Sequence, residues 1–270
     1  MSNLGQRVAT AVILIPIVVG VILLLPWPWV GALFGLLVLA AAWEWTHLAG
    51  WQHRGIRAAY LVATGLLLMA TTFLQSAIAL IVVGSAVLWW CWALAQVIRL
   101  QRGGEYARRG TVSWALTGWI LLVPSWLALV QLHQRGGGAA LVLMLMVLVW
   151  SADIGAYFAG RAYGRRKLAS RVSPGKSWEG VAGGTVVALM AAFGYALAFV
   201  DQALALFMVV ALLTVAVSIL GDLTESVFKR ESDVKDSGSL LPGHGGVLDR
   251  VDSLTAAAPV FWLGTVAVGF

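Results

Sequence analysis

The chain has 270 residues, of which 60% are apolar and 11% are charged, and it carries a formal net charge of +6. Apolar runs long enough to cross a bilayer recur along its whole length, so this composition excludes a water-soluble globular protein. The single cysteine, Cys91, lies in an apolar segment, which excludes disulfide frameworks and thiolate metal clusters and predicts a buried packing role.

The apolar runs predict an all-α, polytopic integral membrane protein. A helix that spans a bilayer needs about 20 apolar residues. The first run is interpreted as an uncleaved helix, because it is too long for a signal peptide and residues 26–29 offer no small-residue cleavage site. The nine predicted spans cover residues 8–25, 28–48, 58–75, 77–98, 112–131, 139–160, 180–200, 203–221 and 252–270.

The distribution of cations orients these helices. With nine spans, 17 of the 18 Lys and Arg residues fall on one side of the membrane, and only Arg135 falls on the other. The positive-inside rule makes the cation-rich side cytoplasmic, so the N-terminus is expected inside and the C-terminus outside. Because the cations lie in short loops beside helix ends, we expect membrane lipids, and no nucleic acid, as their partners. Tryptophans near predicted helix ends, such as Trp27, Trp29 and Trp114, are expected to anchor the helices at the membrane interface.

Polar residues concentrate in the second half of the chain. No internal repeat or soluble domain is evident, so residues 1–270 are predicted to form a single membrane-embedded domain, with N-terminal helices in 1–135 and the functional site in 136–270. The longest polar loops, 161–179 and 222–251, both face the cytoplasm in this topology. Function is therefore expected at the cytoplasmic side.

The window from residue 222 to residue 252 has the composition of a phosphate and metal site. Helical spacing places Asp222, Ser226 and Lys229 on one face, and Asp249 and Asp252 on another. The glycines around position 244 allow backbone N–H groups to approach phosphate. Carboxylate oxygens suit magnesium, which also takes phosphate oxygens. The alternative is that these charges only solvate a loop, but they adjoin two apolar helices, where unpaired ions are costly.

Two further features lie upstream of this window. Ser173 is a candidate N-cap and Pro174 a candidate first residue of the seventh helix, beside Lys176, which together predict an anion site or, equally, an ordinary cap with positive-inside charges. Asp153 lies within a predicted span, where a carboxylate indicates function unless it is paired structurally, for example with Arg161.

Three sequence motifs carry a resemblance to a known family. They are Ser226-x-Phe-Lys-Arg230, followed after four residues by Lys235-Asp236 and by Leu241-Pro-x-His-Gly-Gly-Val-x-Asp-Arg-Val-Asp252; Asp153-x-x-Ala-Tyr-x-x-Gly-Arg161; and Ser173-Pro-x-Lys-Ser-x-Glu-Gly180. Over residues 150–252 the chain resembles the phosphatidate cytidylyltransferases, also called CDP-diacylglycerol synthases. The first half is similar only as a series of apolar helices. Gly175 and Ser177 stand where the family often has Lys and Thr.

The resemblance implies transfer of CMP from CTP to phosphatidic acid, which yields CDP-diacylglycerol and pyrophosphate, by a homodimer in the inner membrane. It also implies a magnesium ion held by Asp222 and Asp249, and it leaves room for a second, monovalent cation. His244 would either donate to phosphate or hold its loop. The residues implied as catalytic are Asp222, Asp249, Lys229 and Arg250. Those implied in substrate binding are Asp153, Ser173, Lys176, Glu179, Ser226, Arg230, Lys235, Asp236, His244, Gly245, Gly246 and Asp252.

Two other classes of protein use intramembrane carboxylates. Prenyltransferases and CDP-alcohol phosphotransferases also combine aspartates with magnesium, yet here only the Asp249-x-x-Asp252 pair is similar to their compact repeats. A transporter would use Asp153 and Asp222 as pathway residues. The polar motifs gather in one half of the chain and on one side of the membrane, which favours an enzyme.

Overall fold

The computed structural model describes residues 3–107, 109–200, 203–238, 240 and 245–269, with side chains from residue 12 onward. Within these ranges the chain forms nine α-helices and one two-stranded antiparallel hairpin, β1–β2. The elements in chain order are α1 (Asn3–Leu24), α2 (Trp27–Leu48), α3 (Arg54–Thr72), α4 (Ser76–Gln101), α5 (Thr111–His133), α6 (Gly138–Tyr163), β1 (Lys167–Ala169), β2 (Ser173–Ser177), α7 (Trp178–Phe199), α8 (Leu204–Glu231) and α9 (Leu248–Val268).

The helices have the length and composition of membrane spans. Among the described residues, eight are long and apolar enough to cross a bilayer, and α1 adds a shorter apolar stretch at Val12–Leu24. Each overlaps one of the predicted spans, which confirms an all-α, multi-pass membrane protein with a small β-hairpin added. Several helices continue past the predicted ends, and α8 extends through the polar residues up to Glu231.

Helix α5 lies at the centre of the bundle. It packs against α2, α3, α4, α6 and α9, and an unbroken run from Leu121 to Val130 is buried. Indole N–H groups fix its neighbours, because Trp126 donates to the carbonyl of Gly31 at 2.8 Å and Trp45 donates to the carbonyl of Trp114 at 2.8 Å. Both buried hydrogen bonds join α2 to α5 within the core.

Two sequence-based interpretations of the apolar helices were wrong. Trp114 is only 6% exposed and packs edge-on against Trp45, so it belongs to the core and not to an interfacial belt, whereas Trp27 and Trp29 are exposed as expected. Cys91 is exposed on the outer face of α4 and not buried. In an apolar span, an outer position is as favourable for a small apolar side chain as the core, because lipid tails are also apolar.

Helices α6 and α7 are in close backbone contact through glycines. A Cβ atom on Gly155 would lie 2.9 Å from the carbonyl oxygen of Gly183, and one on Gly180 would lie 3.0 Å from the carbonyl oxygen of Ala156. Side chains at these positions would separate the helices, so only glycine permits this approach. We call this contact the glycine seam; its members are Gly155, Gly160, Gly180, Gly183 and Gly184.

The hairpin joins the C-terminal end of α6 to the N-terminal end of α7, and it corrects one prediction. Ser173 and Pro174 belong to β2 and do not begin α7. The N-cap is Ser177, whose hydroxyl accepts a hydrogen bond from the backbone N–H of Gly180 at 3.1 Å. A serine cap four residues further along satisfies a free N–H of the first turn equally well, so residues 173–177 can extend and pair with β1.

Candidate active site

A polar cavity of about 410 Å³ opens between α6, β2, α7 and α8. Lys176 from the hairpin reaches into it and forms an ion pair with Asp222 of α8, with Nζ and Oδ2 2.6 Å apart. Asp153 of α6 lines the same cavity and interacts electrostatically with both groups. The opposite wall is the backbone of the glycine seam, with Gly160, Gly180 and Gly184 among its lining residues. The cavity therefore combines two cations, Lys176 and Arg161, with two carboxylates and the main chain of glycines.

Glu179 holds the hairpin in place. Its carboxylate accepts hydrogen bonds from the backbone N–H groups of Arg165 and Arg166, at 3.1 and 3.2 Å. It also lies in the first turn of α7, where a negative charge is favourable. Its oxygens contact the turn that follows α6, so Glu179 helps to hold the hairpin whose second strand carries Lys176. Glu179 therefore has a structural role next to the site.

Lys229 links α8 to α9 at a second polar centre. Its Nζ donates to Glu225 at 2.9 Å and to Asp249 at 2.8 Å, and the three side chains are 14%, 5% and 9% exposed. The face of α8 that meets α9 is thus occupied by Glu225 and Lys229. Asp222, one turn earlier, faces the polar cavity instead. Asp222, Ser226 and Lys229 do lie on consecutive turns of α8, as predicted. However, Asp222 pairs with Lys176, whereas Lys229 pairs with Glu225 and Asp249.

Asp249 is fixed by three donors. Lys229 binds its Oδ1, while the backbone N–H groups of Ser237 and Gly246 donate to its Oδ2 at 3.1 and 2.9 Å. Gly245 has a φ of +78°, a left-handed conformation that favours glycine and turns the chain so that Gly246 can reach the carboxylate. The glycines of the sequence motif therefore bring N–H groups to an aspartate of the protein in this structure.

An apolar groove of about 390 Å³ lies on the other side of Asp153. Its walls come from α1, α2, α6 and α9, with Leu14, Phe34 and Met146 among them. Its polar end is formed by Asp153, Asp249, Arg250 and Asp252. Asp153 lines both the polar cavity and this groove, so a polar and an apolar compartment share one carboxylate as a common wall.

The structure brings together part of the predicted set. Lys176, Asp222 and Asp153 meet in the polar cavity, Lys229 and Asp249 form an ion pair, and Arg250 and Asp252 lie at the groove. Arg161 donates to the hydroxyl of Tyr157 at 3.0 Å and not to Asp153. The remaining predicted residues line neither the polar cavity nor the apolar groove in the described part of the chain. Arg230, Lys235 and Asp236 are exposed, and Ser173 and Ser226 are half-buried. His244 lies outside the described residues.

Two buried carboxylates were not assigned a role from the sequence. Glu225 is 5% exposed and pairs with Lys229, and it interacts electrostatically with Asp252. Glu44 of α2 is 1% exposed and contacts the segment that precedes α9. The sequence feature that could have identified a buried carboxylate is the one that was applied to Asp153, namely an acidic residue inside an apolar run.

The aspartates fit a magnesium ion by their chemistry. Magnesium is usually held by one or two carboxylates together with substrate phosphates, and it keeps several waters. Asp222 and Asp249 supply such oxygens, and each is matched by a lysine in this structure. Within the described part of the chain, no cluster of three or more His, Cys, Asp or Glu side chains forms a metal cage.

Comparison with known proteins places these features in a family. Residues 5–267 match the model of the cytidylyltransferase family. The chain is 47% identical over 265 residues to a phosphatidate cytidylyltransferase of Pseudomonas aeruginosa, covering 96% of this chain and 95% of the relative. It is 40% identical over 280 residues to the enzyme of that name from Haemophilus influenzae, covering 96% and 97%, and 39% identical over 276 residues to that of Brucella suis, covering 97% and 93%. The chain belongs to the cytidylyltransferase family.

Proposed function

We propose that this protein is a phosphatidate cytidylyltransferase, which transfers CMP from CTP to phosphatidic acid and releases pyrophosphate. The family and the names of its relatives support this activity. The observation that carries it in the structure is the position of Asp153 between a polar cavity and an apolar groove. One substrate of this reaction is a nucleotide and the other is a lipid, and their phosphates must meet.

The polar cavity is the proposed site of CTP. Lys176 reaches into it, and the first turn of α7 begins beside it at Ser177. A helix N-terminus and a lysine both favour phosphate oxygens. Binding of the triphosphate would draw Lys176 away from Asp222, because the two cannot keep their ion pair while each engages the nucleotide or its metal.

The apolar groove is the proposed site of phosphatidic acid. Its apolar walls suit acyl chains, and Arg250 at its polar end suits the phosphate. The carboxylates that surround Arg250 make a pure anion site unfavourable. A phosphate that binds here would therefore need further positive charge, which Lys229 can supply from its contact with Asp249.

The reaction needs no dedicated base among these residues. A phosphate monoester loses its second proton with a pKa near 6, so at neutral pH its oxygen is already a nucleophile. This oxygen attacks the α-phosphorus of CTP, a new P–O bond forms, and the bond to the β-phosphate oxygen breaks with its electron pair leaving on pyrophosphate. Lys176, Lys229 and Arg250 would align the two anions and offset their charge, and positioning of this kind supplies most of the catalysis.

We also propose that Asp222 and Asp249 hold magnesium, with a second, monovalent cation as a further candidate. When bound, magnesium would neutralise phosphate charge during the transfer.

The remaining proposals concern the membrane orientation and the oligomeric state of the enzyme. The cation distribution supports an inner-membrane protein with its N-terminus and active site at the cytoplasm and its C-terminus outside. Family resemblance supports a homodimer.

The test is a transfer assay with purified protein in mixed micelles. Radiolabelled CTP and phosphatidic acid should yield a chloroform-extractable CDP-lipid and one pyrophosphate per lipid formed. Diacylglycerol, which lacks the phosphate nucleophile, is the matched control and should give no product. Release of CMP from added CDP-diacylglycerol and an alcohol, without consumption of CTP, would instead identify a CDP-alcohol phosphotransferase and contradict the proposal.

A further inference from the structure

Glu44 is a buried carboxylate near the C-terminal end of α2. It lies in α2, far in sequence from the polar motifs, and only 1% of its surface is exposed. Its Oε2 accepts a hydrogen bond from the backbone N–H of Leu248 at 2.8 Å and one from the hydroxyl of Ser237 at 3.3 Å. Leu248 is the first residue of α9, whose preceding residue provides no side-chain cap. Glu44 therefore caps α9 from a different helix.

Two described glycines before α9, Gly238 and Gly246, lie against this carboxylate. A Cβ atom on Gly238 would collide with Oε1 of Glu44, and one on Gly246 would collide with its Oε2. Both positions need the absence of a side chain so that the main chain can close over Glu44. Oε1 is buried and makes no hydrogen bond to the described residues. A buried charge with so few partners costs stability unless the site uses it.

The contacts of Glu44 lead directly to Asp249. Glu44 holds Ser237 through its hydroxyl and α9 through Leu248, while the backbone N–H groups of Ser237 and Gly246 bind Oδ2 of Asp249. The same short segment is thus held by Glu44 on one side and orients Asp249 on the other. In the described part of the chain, Glu44 lines neither the polar cavity nor the apolar groove, so it does not touch substrate there.

We propose that Glu44 is a positioning residue for the cytidylyl transfer: it fixes the described residues Ser237, Gly246 and Leu248, which we call the segment before α9, and thereby aims the carboxylate of Asp249. The role in catalysis rests on the function proposed above for Asp249. Residues that orient a metal ligand typically change metal affinity or activity by about 10- to 100-fold when they are replaced. We expect replacement of Glu44 to lower metal affinity or activity by a factor of that size, although Glu44 lines neither the polar cavity nor the apolar groove.

The first measurement is hydrogen–deuterium exchange of the metal-free, substrate-free protein. In Glu44→Ala, amides of the segment, including those of Ser237, Gly246 and Leu248, should exchange at least about tenfold faster than in the wild type. Glu44→Gln keeps one carbonyl acceptor for Leu248 and should show a smaller change. Thr64→Val is the matched control, because it removes the hydroxyl that accepts a part-buried hydrogen bond from the indole of Trp119, and it should leave the exchange of the segment unchanged. Because no reaction is involved, this result does not depend on the enzymatic assignment.

The second measurement is the magnesium requirement of the transfer assay. Glu44→Ala should raise the magnesium concentration for half-maximal activity, or lower kcat, by about 10- to 100-fold, and Glu44→Gln should have a smaller effect in the same direction, whereas Thr64→Val should have none. Should Glu44→Ala fail to fold, Gly238→Ala displaces the segment with Glu44 retained and should give the same two effects. Gly84→Ala, which meets no atom within 4 Å, is its control. Unchanged exchange in a folded variant, or faster exchange with unchanged magnesium requirement and kcat, would overturn the proposal.

Discussion

Lys229 provides the sharpest test of how the charges in the bundle are balanced. It is the cation between Glu225 and Asp249, at 2.9 and 2.8 Å, and all three side chains are at most 14% exposed. Replacing it with methionine keeps the length of the side chain and removes the charge. Two carboxylates would then remain buried with no cation between them, which is far less favourable than losing an exposed pair.

The expected loss can be worked out from these values. Removing one partner of a buried ion pair typically destabilises a protein by about 3–5 kcal/mol. At about 1.4 kcal/mol per tenfold change, this corresponds to a roughly 150- to 5,000-fold fall in the folding equilibrium constant. Lys176→Met is the contrast, because the Lys176–Asp222 pair is 25% and 31% exposed and should contribute no more than about 1 kcal/mol.

The assay is reversible unfolding in mixed micelles, followed by tryptophan fluorescence, with the free energy of unfolding compared between variants. Adding Glu225→Gln and Asp249→Asn to Lys229→Met should recover most of the lost stability, since no uncompensated charge then stays buried. A Lys229→Met protein within about 1 kcal/mol of the wild type would refute the reasoning. So would a triple variant no more stable than Lys229→Met alone.

Three further outcomes are expected. Lys176→Ala should raise the apparent KM for CTP or lower kcat about tenfold or more with little loss of folded protein, and unchanged kinetics would remove Lys176 from the nucleotide site. Asp222→Asn and Asp249→Asn should each nearly abolish turnover, with the double variant scarcely worse and wild-type activity lost in chelator and restored by magnesium; additive losses, or full activity in chelator, would argue against one shared metal site. A reporter fused at the C-terminus should read as extracytoplasmic and one inserted in the 161–179 loop as cytoplasmic, and the same side for both would contradict the proposed orientation.

The helices could be predicted from the sequence because the bilayer imposes a length on apolar runs. Their ends were less predictable. Helix α8 continues to Glu231, well beyond the apolar stretch, because backbone hydrogen bonding does not stop where side chains become polar. Its last turns instead satisfy their charges through contacts such as Lys229 with Asp249. Apolarity marks the part of a helix that crosses lipid, and tertiary contacts determine where the helix ends.

Several residues that line the polar cavity and the apolar groove could be selected from the sequence, but their pairing could not. A carboxylate in an apolar run is costly, which identified Asp153 and applied equally to Glu44. The partner of Glu44 is the N–H of Leu248, 204 residues away, and no local pattern encodes that contact. Likewise, local rules permit a cap at Ser173 or at Ser177. The pairing of β2 with β1 and the close approach of α7 to α6 decide between them.

The glycine seam gives the nucleotide side of the proposed site an unusual resistance to change. Gly160, Gly180 and Gly184 present main chain to the polar cavity while their Cα atoms hold α6 against α7. An inhibitor resting on this wall would contact atoms common to every amino acid. A larger side chain at Gly180 or Gly184 would not remove this contact without cost, because the added carbon would also push the two helices apart. Compounds that rest on Tyr157 and Arg161, which line the same cavity, would contact side chains that can be exchanged one at a time.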